Sequence, residues 1–299
     1  MSHNTHVTTL VAPANTKLEE SNIDACLQAL QLTRENCTIE WLEEDKACDL
    51  LHNLPLNEAQ AKLADASLRD SIDCVSQPTA HRRKKLLISD MDSTMIQQEC
   101  IDELAAALDL KERVADITEK AMNGELDFKD ALRERVALLQ GLHEDQLEEV
   151  YKHHISFMPG ARELVQTMKA HGAYCLLVSG GFRFFTNRVA EALGFDEDQS
   201  NMLEIFNHVL TGKVVEPILD KESKRAALEQ SVEKSKLEKV NVLAVGDGAN
   251  DLPMLLAAGL GVAYKAKPTV QAQAKACINH GDLTSLLYVQ GYRRNEWAW

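Results

Sequence analysis

Asp90 and Asp92 stand two residues apart, directly after the short apolar run Lys85-Leu86-Leu87-Ile88-Ser89. In an extended chain such residues point to the same side. The two carboxylates therefore suit a metal ion, a nucleophilic attack or proton transfer. An isolated Asp-x-Asp is equally a polar turn closing a strand. A second acidic group, Gly246-Asp247-Gly248-Ala249-Asn250-Asp251, closes another apolar run, Val240-Asn241-Val242-Leu243-Ala244-Val245. If the two runs are neighbouring strands, three or four carboxylates converge, and without a cation they raise one another's pKa. A hard divalent ion with oxygen ligands resolves that repulsion, and Mg2+ fits a phosphate site. Gly246-x-Gly248 also opens a dinucleotide fingerprint, but Asp251 stands where its third glycine belongs, which rejects it.

Ser179-Gly180-Gly181 follows a third apolar run, Tyr174-Cys175-Leu176-Leu177-Val178, ahead of a helix expected from about Phe182. A hydroxyl and bare backbone N–H groups at a helix start make an anion cradle. Ser-Gly-Gly is also an ordinary turn. Lys224 falls in the opening of a helical pattern at 222–232, where the macrodipole disfavours a cation. A surface lysine is the bland alternative.

The runs at 85–89, 174–178 and 240–245 each lead into a helical pattern, and 260–264 suggests a fourth strand after the helix that holds 254–258. Such alternation predicts a doubly wound α/β sheet, with ligands beyond the carboxyl ends of its strands. Between the first two runs, about 95–155, the pattern is wholly helical, with apolar spacing over 100–109, 111–122, 127–140 and 144–154. This exceeds what a crossover needs and predicts a helical cap. Residues 206–215 suggest a hairpin turning at Thr211-Gly212. Residues 1–80 alternate strand and helix patterns, as in a small α+β module. Strands are expected at 8–11, 37–42 and 72–75, and helices at 21–32 and 58–68. Gln77-Pro78-Thr79-Ala80 and the basic run His81-Arg82-Arg83-Lys84-Lys85 read as a solvated linker to a core spanning 84–299.

The 299 residues suggest two units, and 45% hydrophobic with 26% charged residues suits a globular protein with a real core. No apolar stretch reaches the roughly 20 residues of a membrane span. Met1-Ser2-His3-Asn4-Thr5-His6 lacks the pattern of a secretory leader. Seven scattered cysteines without a Cys-x-x-Cys pair read as reduced thiols in a cytoplasmic protein. A net charge of −14 argues against nucleic acid and anionic membrane as partners. It also requires local cations wherever an anionic ligand binds.

In these motifs the chain resembles the haloacid dehalogenase superfamily of aspartyl-phosphate hydrolases. Asp90-Met91-Asp92-Ser93-Thr94 is similar to its first motif, Ser179 to its second, Lys224 to its third, and the run from Gly246 to Asp251 to its fourth. The resemblance covers about residues 84–285 and tightens to the phosphoserine phosphatases. It does so through the longer match from Asp90 to Glu103, Leu132-Arg133-Glu134-Arg135-Val136, Ser179-Gly180-Gly181-Phe182 and the extension Leu252-Pro253-Met254. The cap pattern agrees. Phe128, Leu132, Val136 and Leu139 share one apolar face, with Arg135 beside it. There the arginine either snorkels or clamps a carboxylate. Glu99, at the cap entrance, could face an ammonium group.

The resemblance implies hydrolysis of O-phosphoserine to serine, the last step of serine biosynthesis, with Asp90 as nucleophile and Asp92 as acid and base. It further implies Mg2+ held by Asp90, Asp92 (through its backbone carbonyl) and Asp247. Ser179, Gly180 and Lys224 would hold the phosphate, with Glu99, Arg135 and Asn250 also on the substrate and Asp251 and Gly181 behind them. Other small phosphomonoesters, or phosphoryl transfer to an alcohol, would use the same chemistry. A phospho-switch of the response-regulator kind is a non-enzymatic alternative, against which Asp92 and the cap argue. The role of residues 1–80 stays open between regulation of the ACT type, dimerisation into a homodimer, and a spacer. The end, Trp297-Ala298-Trp299, either packs on a neighbour or stays loose.

Overall fold

The apolar runs that precede the acidic clusters have no polar face, and they lie in the middle of one sheet, covered on both sides. The computed structural model describes residues 4–64, 66–122 and 126–299. Residues 1–3, part of the argument against a leader, and 123–125 within the cap lie outside the described residues. The chain builds β1 (His6–Val11), α1 (Glu20–Leu30), β2 (Thr38–Glu43), β3 (Ala47–His52), α2 (Leu56–Ala64) and β4 (Asp73–Pro78). These strands form an antiparallel sheet in the order β2-β3-β1-β4. The sequence pattern did not reveal β3, because its buried Asp49 and His52 interrupt the apolar signal.

Next, β5 (Leu86–Ser89) leads into α3 (Cys100–Ala107), α4 (Lys111–Met122), α5 (Phe128–Ala137) and α6 (Glu144–His154). The crossover helix α7 (Ala161–Ala170) brings the chain to β6 (Tyr174–Phe182), followed by α8 (Arg183–Leu193), β7 (Glu197–Phe206) and β8 (Val209–Val215). Then come α9 (Lys221–Lys234), β9 (Val242–Gly246), α10 (Leu252–Ala257), β10 (Leu260–Tyr264), α11 (Pro268–Gln271), β11 (Ala276–Ile278) and α12 (Ser285–Val289). The sheet order is β11-β10-β9-β5-β6-β7-β8, parallel except for the β7–β8 hairpin. Placing β5 between β9 and β6 sets the ends of those three strands side by side. Asp90, Asp247 and Ser179 are therefore neighbours by topology, at a point where ligands bind in open α/β sheets.

Alternate strand residues feed two cores. Leu87, Cys175, Leu177, Leu243 and Val245 face one, and Leu86, Ile88, Leu176, Val178, Val242 and Ala244 face the other. The first core runs on into the cap through Leu104, Leu132, Val136, Leu139, Leu147 and Val150. Leu132, Val136 and Leu139 of the apolar stripe are thus buried as the spacing predicts, and Phe128 is partly buried. The hairpin turn differs from expectation. Asn207 and His208, both at positive φ (49° and 65°), make the turn, and Thr211-Gly212 lies inside β8. Asparagine tolerates the left-handed region well enough to replace glycine there.

The basic run departs further from a solvated linker. Gln77 and Pro78 belong to β4. Arg82 grips buried Asp49 with two nitrogens, at 2.5 and 2.6 Å, and donates to Thr9 Oγ1 and to the carbonyls of Tyr288 and Val289. Lys84 is also buried, its ammonium donating to the carbonyls of His81 and Val240. On β4, Asp73 accepts the backbone N–H groups of Asn279, His280 and Gly281. Val11, Leu42 and Ala47 of the first sheet pack on Tyr288, with Trp297 against them. The chain end therefore packs here through Trp297, while Trp299 is 69% exposed. Charge survives in these positions because each cation found a buried anion or carbonyl.

Arg82→Ala would leave Asp49 buried and unpaired. Urea unfolding should register a loss of about 3–5 kcal/mol, and a shift under about 0.5 kcal/mol, the size of an ordinary surface change, would contradict this reading of the junction.

Candidate active site

Asp90 follows β5 with its backbone N–H bonded to the carbonyl of Val245 on β9, which ties the two acidic strand ends together. Its Oδ1 lies 2.7 Å from the ammonium of Lys224, which lies 2.7 Å from Asp251 Oδ1. All three side chains are buried, Lys224 to 2% exposure and Asp251 to zero. The helix start that carries Lys224 exists because Asp220 caps α9, accepting the N–H groups of Glu222 and Ser223. Burial works against the charge of Lys224, but the carboxylates of Asp251 and Asp90 outweigh it and raise its pKa. This lysine is therefore a fixed cation inside the protein and not a surface residue.

Asp90, Asp247 and Asp251 bring ligand oxygens within 4.8 Å of one another. Burial first, then the charge of Asp251, push Asp90 up, with Lys224 opposing. The same two influences push Asp247 up to about 6. Thr94 Oγ1 donates to Asp247 at 3.3 Å. One ammonium does not neutralise this set, and its donors are all hard oxygens of the kind a divalent cation takes. The residues present fit such an ion. Asp251 is otherwise engaged, since its Oδ2 accepts the Gly248 N–H at 3.0 Å.

The Asp92 carboxylate lies outside this cluster. Its Oδ1 accepts the N–H of Cys100 at the start of α3, at 2.9 Å, and its Oδ2 accepts the Ser179 hydroxyl at 3.0 Å. Ser179 Oγ in turn accepts the Gly181 N–H at 2.8 Å. A side chain at position 181 would bring its Cβ to 2.8 Å from Asp92 Oδ2, so only glycine lets strand and carboxylate approach. Ser179, Gly180 and Gly181 belong to the end of β6, and α8 begins at Arg183. The cradle thus closes the strand just before the helix start, as the sequence suggested, with Phe182 as the helix cap. Phe128, the first residue of α5, lies over Gly180, with its ring edge 3.4 Å from where a Cβ would stand.

On the cap side, Glu99 precedes α3 and its Oε1 accepts the Ser93 hydroxyl at 2.6 Å. The residue is exposed, yet its carboxylate is packed closely enough to lose hydration. That loss, with the charge of Asp92 and against the Ser93 hydrogen bond, pushes its pKa up to about 7. Arg135 is half-buried on α5, its Nε held by the Ala131 carbonyl at 3.2 Å. Burial lowers its pKa, and the charges of Asp102 and Glu99 oppose that. Glu99 and Arg135 thus meet electrostatically across the cap. Asn250 sits on the single turn 249–251 beside Asp251. The site also contains Thr94, Asp102 and Asn201, which no sequence argument assigned a role; Thr94 stood within the first motif and Asp102 within its extension to Glu103, whereas Asn201 carried no local signal.

A family model for haloacid dehalogenase-like hydrolases matches residues 87–256. A phosphoserine phosphatase of Albidiferax ferrireducens is 50% identical over 208 residues, which cover 68% of this chain and 88% of the relative. A crystal structure of a probable phosphoserine phosphatase from Vibrio cholerae superimposes with a TM-score of 0.77 at 32% identity, covering 98% of this chain and 88% of that one. A haloacid dehalogenase family hydrolase of Salmonella enterica serovar Typhi gives 0.86 at 29% identity, covering 96% and 98% of the two chains. Both superpositions extend over the first sheet as well. The chain belongs to the haloacid dehalogenase-like hydrolases and, within them, to the family of the phosphoserine phosphatases.

Proposed function

We propose that this chain hydrolyses O-phosphoserine to serine and phosphate through a covalent phosphate on Asp90. The carrying observation is the buried Lys224 ammonium, 2.7 Å from both Asp90 and Asp251 beside Asp247. A carboxylate so placed has a fixed cation beside it to receive a dianionic ester, despite the chain's overall negative charge. Asp90 attacks phosphorus in line while the serine oxygen leaves. Asp92, linked to the cradle through Ser179, gives that oxygen its proton and later takes one from the water that releases phosphate. Ser179, the Gly180 N–H and Lys224 hold the equatorial oxygens, where charge spreads in the transition state.

Mg2+ is the ion this oxygen set suits, with Asp90, Asp247 and the Asp92 backbone carbonyl as its protein ligands. Bound there, it would neutralise the carboxylates and the phosphate and hold the reacting oxygens in place. Asp251 keeps Lys224 in position, and Asn250 orders the same turn.

The amino-acid part of the substrate belongs to the cap. Arg135 presents its guanidinium to the substrate carboxylate, and Glu99 accepts the ammonium group. The names of the relatives support this substrate over other phosphomonoesters. Residues 1–80 act as a structural brace on the core at 84–299, a role supported by Arg82, which bridges Asp49 to the Tyr288 and Val289 carbonyls, and by Asp73 on the 279–281 backbone.

Asp90→Asn should lower phosphate release from phosphoserine by roughly a thousandfold or more, and undiminished turnover in a clean preparation would sink the scheme. Chelation of divalent ions should abolish release, with Mg2+ restoring it. Arg135→Ala should raise KM about ten- to a hundredfold, the worth of a charged hydrogen bond. Retention of native KM for phosphoserine would instead favour another phosphomonoester. Glu99 must be ionised to hold an ammonium, and its raised pKa puts the loss of that charge near neutrality. The ratio of kcat/KM between the native protein and Glu99→Gln should therefore fall as pH drops from about 8 to 6. A constant ratio would remove Glu99 from the ammonium site.

A further inference from the structure

Between Val178 and Phe182 of β6 the chain advances four residues while β7 advances only two, from Gln199 to Asn201. The three residues of the cradle, Ser179-Gly180-Gly181, thus stand opposite the single Ser200, bulged out of the ladder. Such a bulge leaves backbone groups without their sheet partners. Asn201, 1% exposed on β7, supplies one. Its Nδ2 donates to the Gly180 carbonyl at 2.8 Å. The same amide holds a second segment. Its Oδ1 accepts the Leu219 N–H at 2.7 Å, and Nδ2 also reaches the Leu219 carbonyl at 3.4 Å. Leu219 immediately precedes Asp220, the cap of the helix whose first turn carries Lys224.

We infer that Asn201 is a positioning residue for the reaction. Its one buried amide sets the spacing between the hydroxyl-bearing strand end and the helix that carries Lys224. The inference rests on the proposed reading, in which both groups hold the phosphate. The Gly180 carbonyl and the Gly181 N–H belong to one peptide plane. Fixing the carbonyl therefore aims that N–H at Ser179 Oγ, which it meets at 2.8 Å, and Ser179 in turn meets Asp92. Two adjacent glycines give the bulge little stiffness of its own. On the other side, the Leu219 contacts fix where α9 begins, and so the height at which the ammonium of Lys224 meets Asp90. No side chain in this chain of contacts meets the side chain of Glu99 or Arg135; it approaches them only through the Cys100 N–H and through the Lys129–Asp220 pair on α5. Loss of the amide should thus loosen the grip on phosphate and spare the grip on the amino acid.

The test compares the native protein with Asn201→Leu and Asn201→Asp. Asn201→Leu removes both polar functions. Asn201→Asp is isosteric and keeps the acceptor for Leu219, but faces the Gly180 carbonyl with an oxygen. With Mg2+ present, four quantities are measured: kcat for phosphoserine, Ki for inorganic phosphate, Ki for serine, and Tm. Displacements of about an ångström can lower rates about a hundredfold, so kcat should fall by roughly ten- to a hundredfold in both variants. Ki for phosphate should rise about tenfold while Ki for serine stays within about twofold of native. If Asn201→Leu does not fold, Asn201→Asp decides alone. The inference is overturned if kcat and the phosphate Ki stay within about twofold of native. It is equally overturned if both Ki values rise together as Tm falls, the pattern of a residue that only stabilises the fold. Should the native protein fail to hydrolyse phosphoserine, the substrate reading fails, and calorimetric binding of inorganic phosphate still judges Asn201.

Discussion

A buried ammonium between two buried carboxylates governs the site. Lys224 contacts Asp90 and Asp251 at 2.7 Å each. Removing water from three such groups is unfavourable unless their charges are matched. Here the match is incomplete, because one ammonium faces two carboxylates and Asp247 adds a third to the same cluster. The site is thus built with an excess of negative charge that a divalent ion relieves, and with one permanent cation that no pH change near neutrality removes. Both features favour an incoming phosphate in a protein whose net charge of −14 would otherwise repel it.

The surrounding structure serves that arrangement from three directions. The sheet order β9-β5-β6 makes the acidic strand ends and Ser179 neighbours, so no long loop is needed to gather them. Asp220 caps α9 and seats Lys224 against the dipole's preference. From above, α5 meets the core at several points. Phe128 lies over Gly180, Lys129 pairs with Asp220 at 3.0 Å and Arg133 with Glu216 at 2.7 Å. The helix that offers Arg135 is therefore registered against the segment that seats Lys224. Such solvent-screened pairs contribute little to stability individually, so they set the position of the cap more than its stability.

The sequence revealed what local pattern encodes. The parallel strands were legible because burial on both faces leaves an uninterrupted apolar run, and the cap helices because their apolar spacing is regular. Asp90, Asp92, Asp247 and Asp251 were legible because they close such runs. What escaped depends on distant partners. Arg82 and Lys84 look like a solvated charge run until Asp49 and the carbonyls of Val240, Tyr288 and Val289 stand around them. The turn at Asn207-His208 escaped because Gly212 gave a stronger local signal from inside β8. Ser179-Gly180-Gly181 was legible as a strand end leading into a helix, but the bulge that these residues make against β7 was not. Asn201 carries no local signal at all, since a lone asparagine on a strand gains meaning only from the bulge opposite.

The claim on which the rest depends is that phosphate passes through Asp90. It can be tested by acid quench of the protein during turnover of phosphoserine with Mg2+, borohydride reduction, and peptide mass spectrometry. An acyl phosphate on Asp90 is reduced to homoserine, so the account predicts homoserine at position 90. Homoserine at another position, or sustained turnover with Asp90 unmodified, would contradict it.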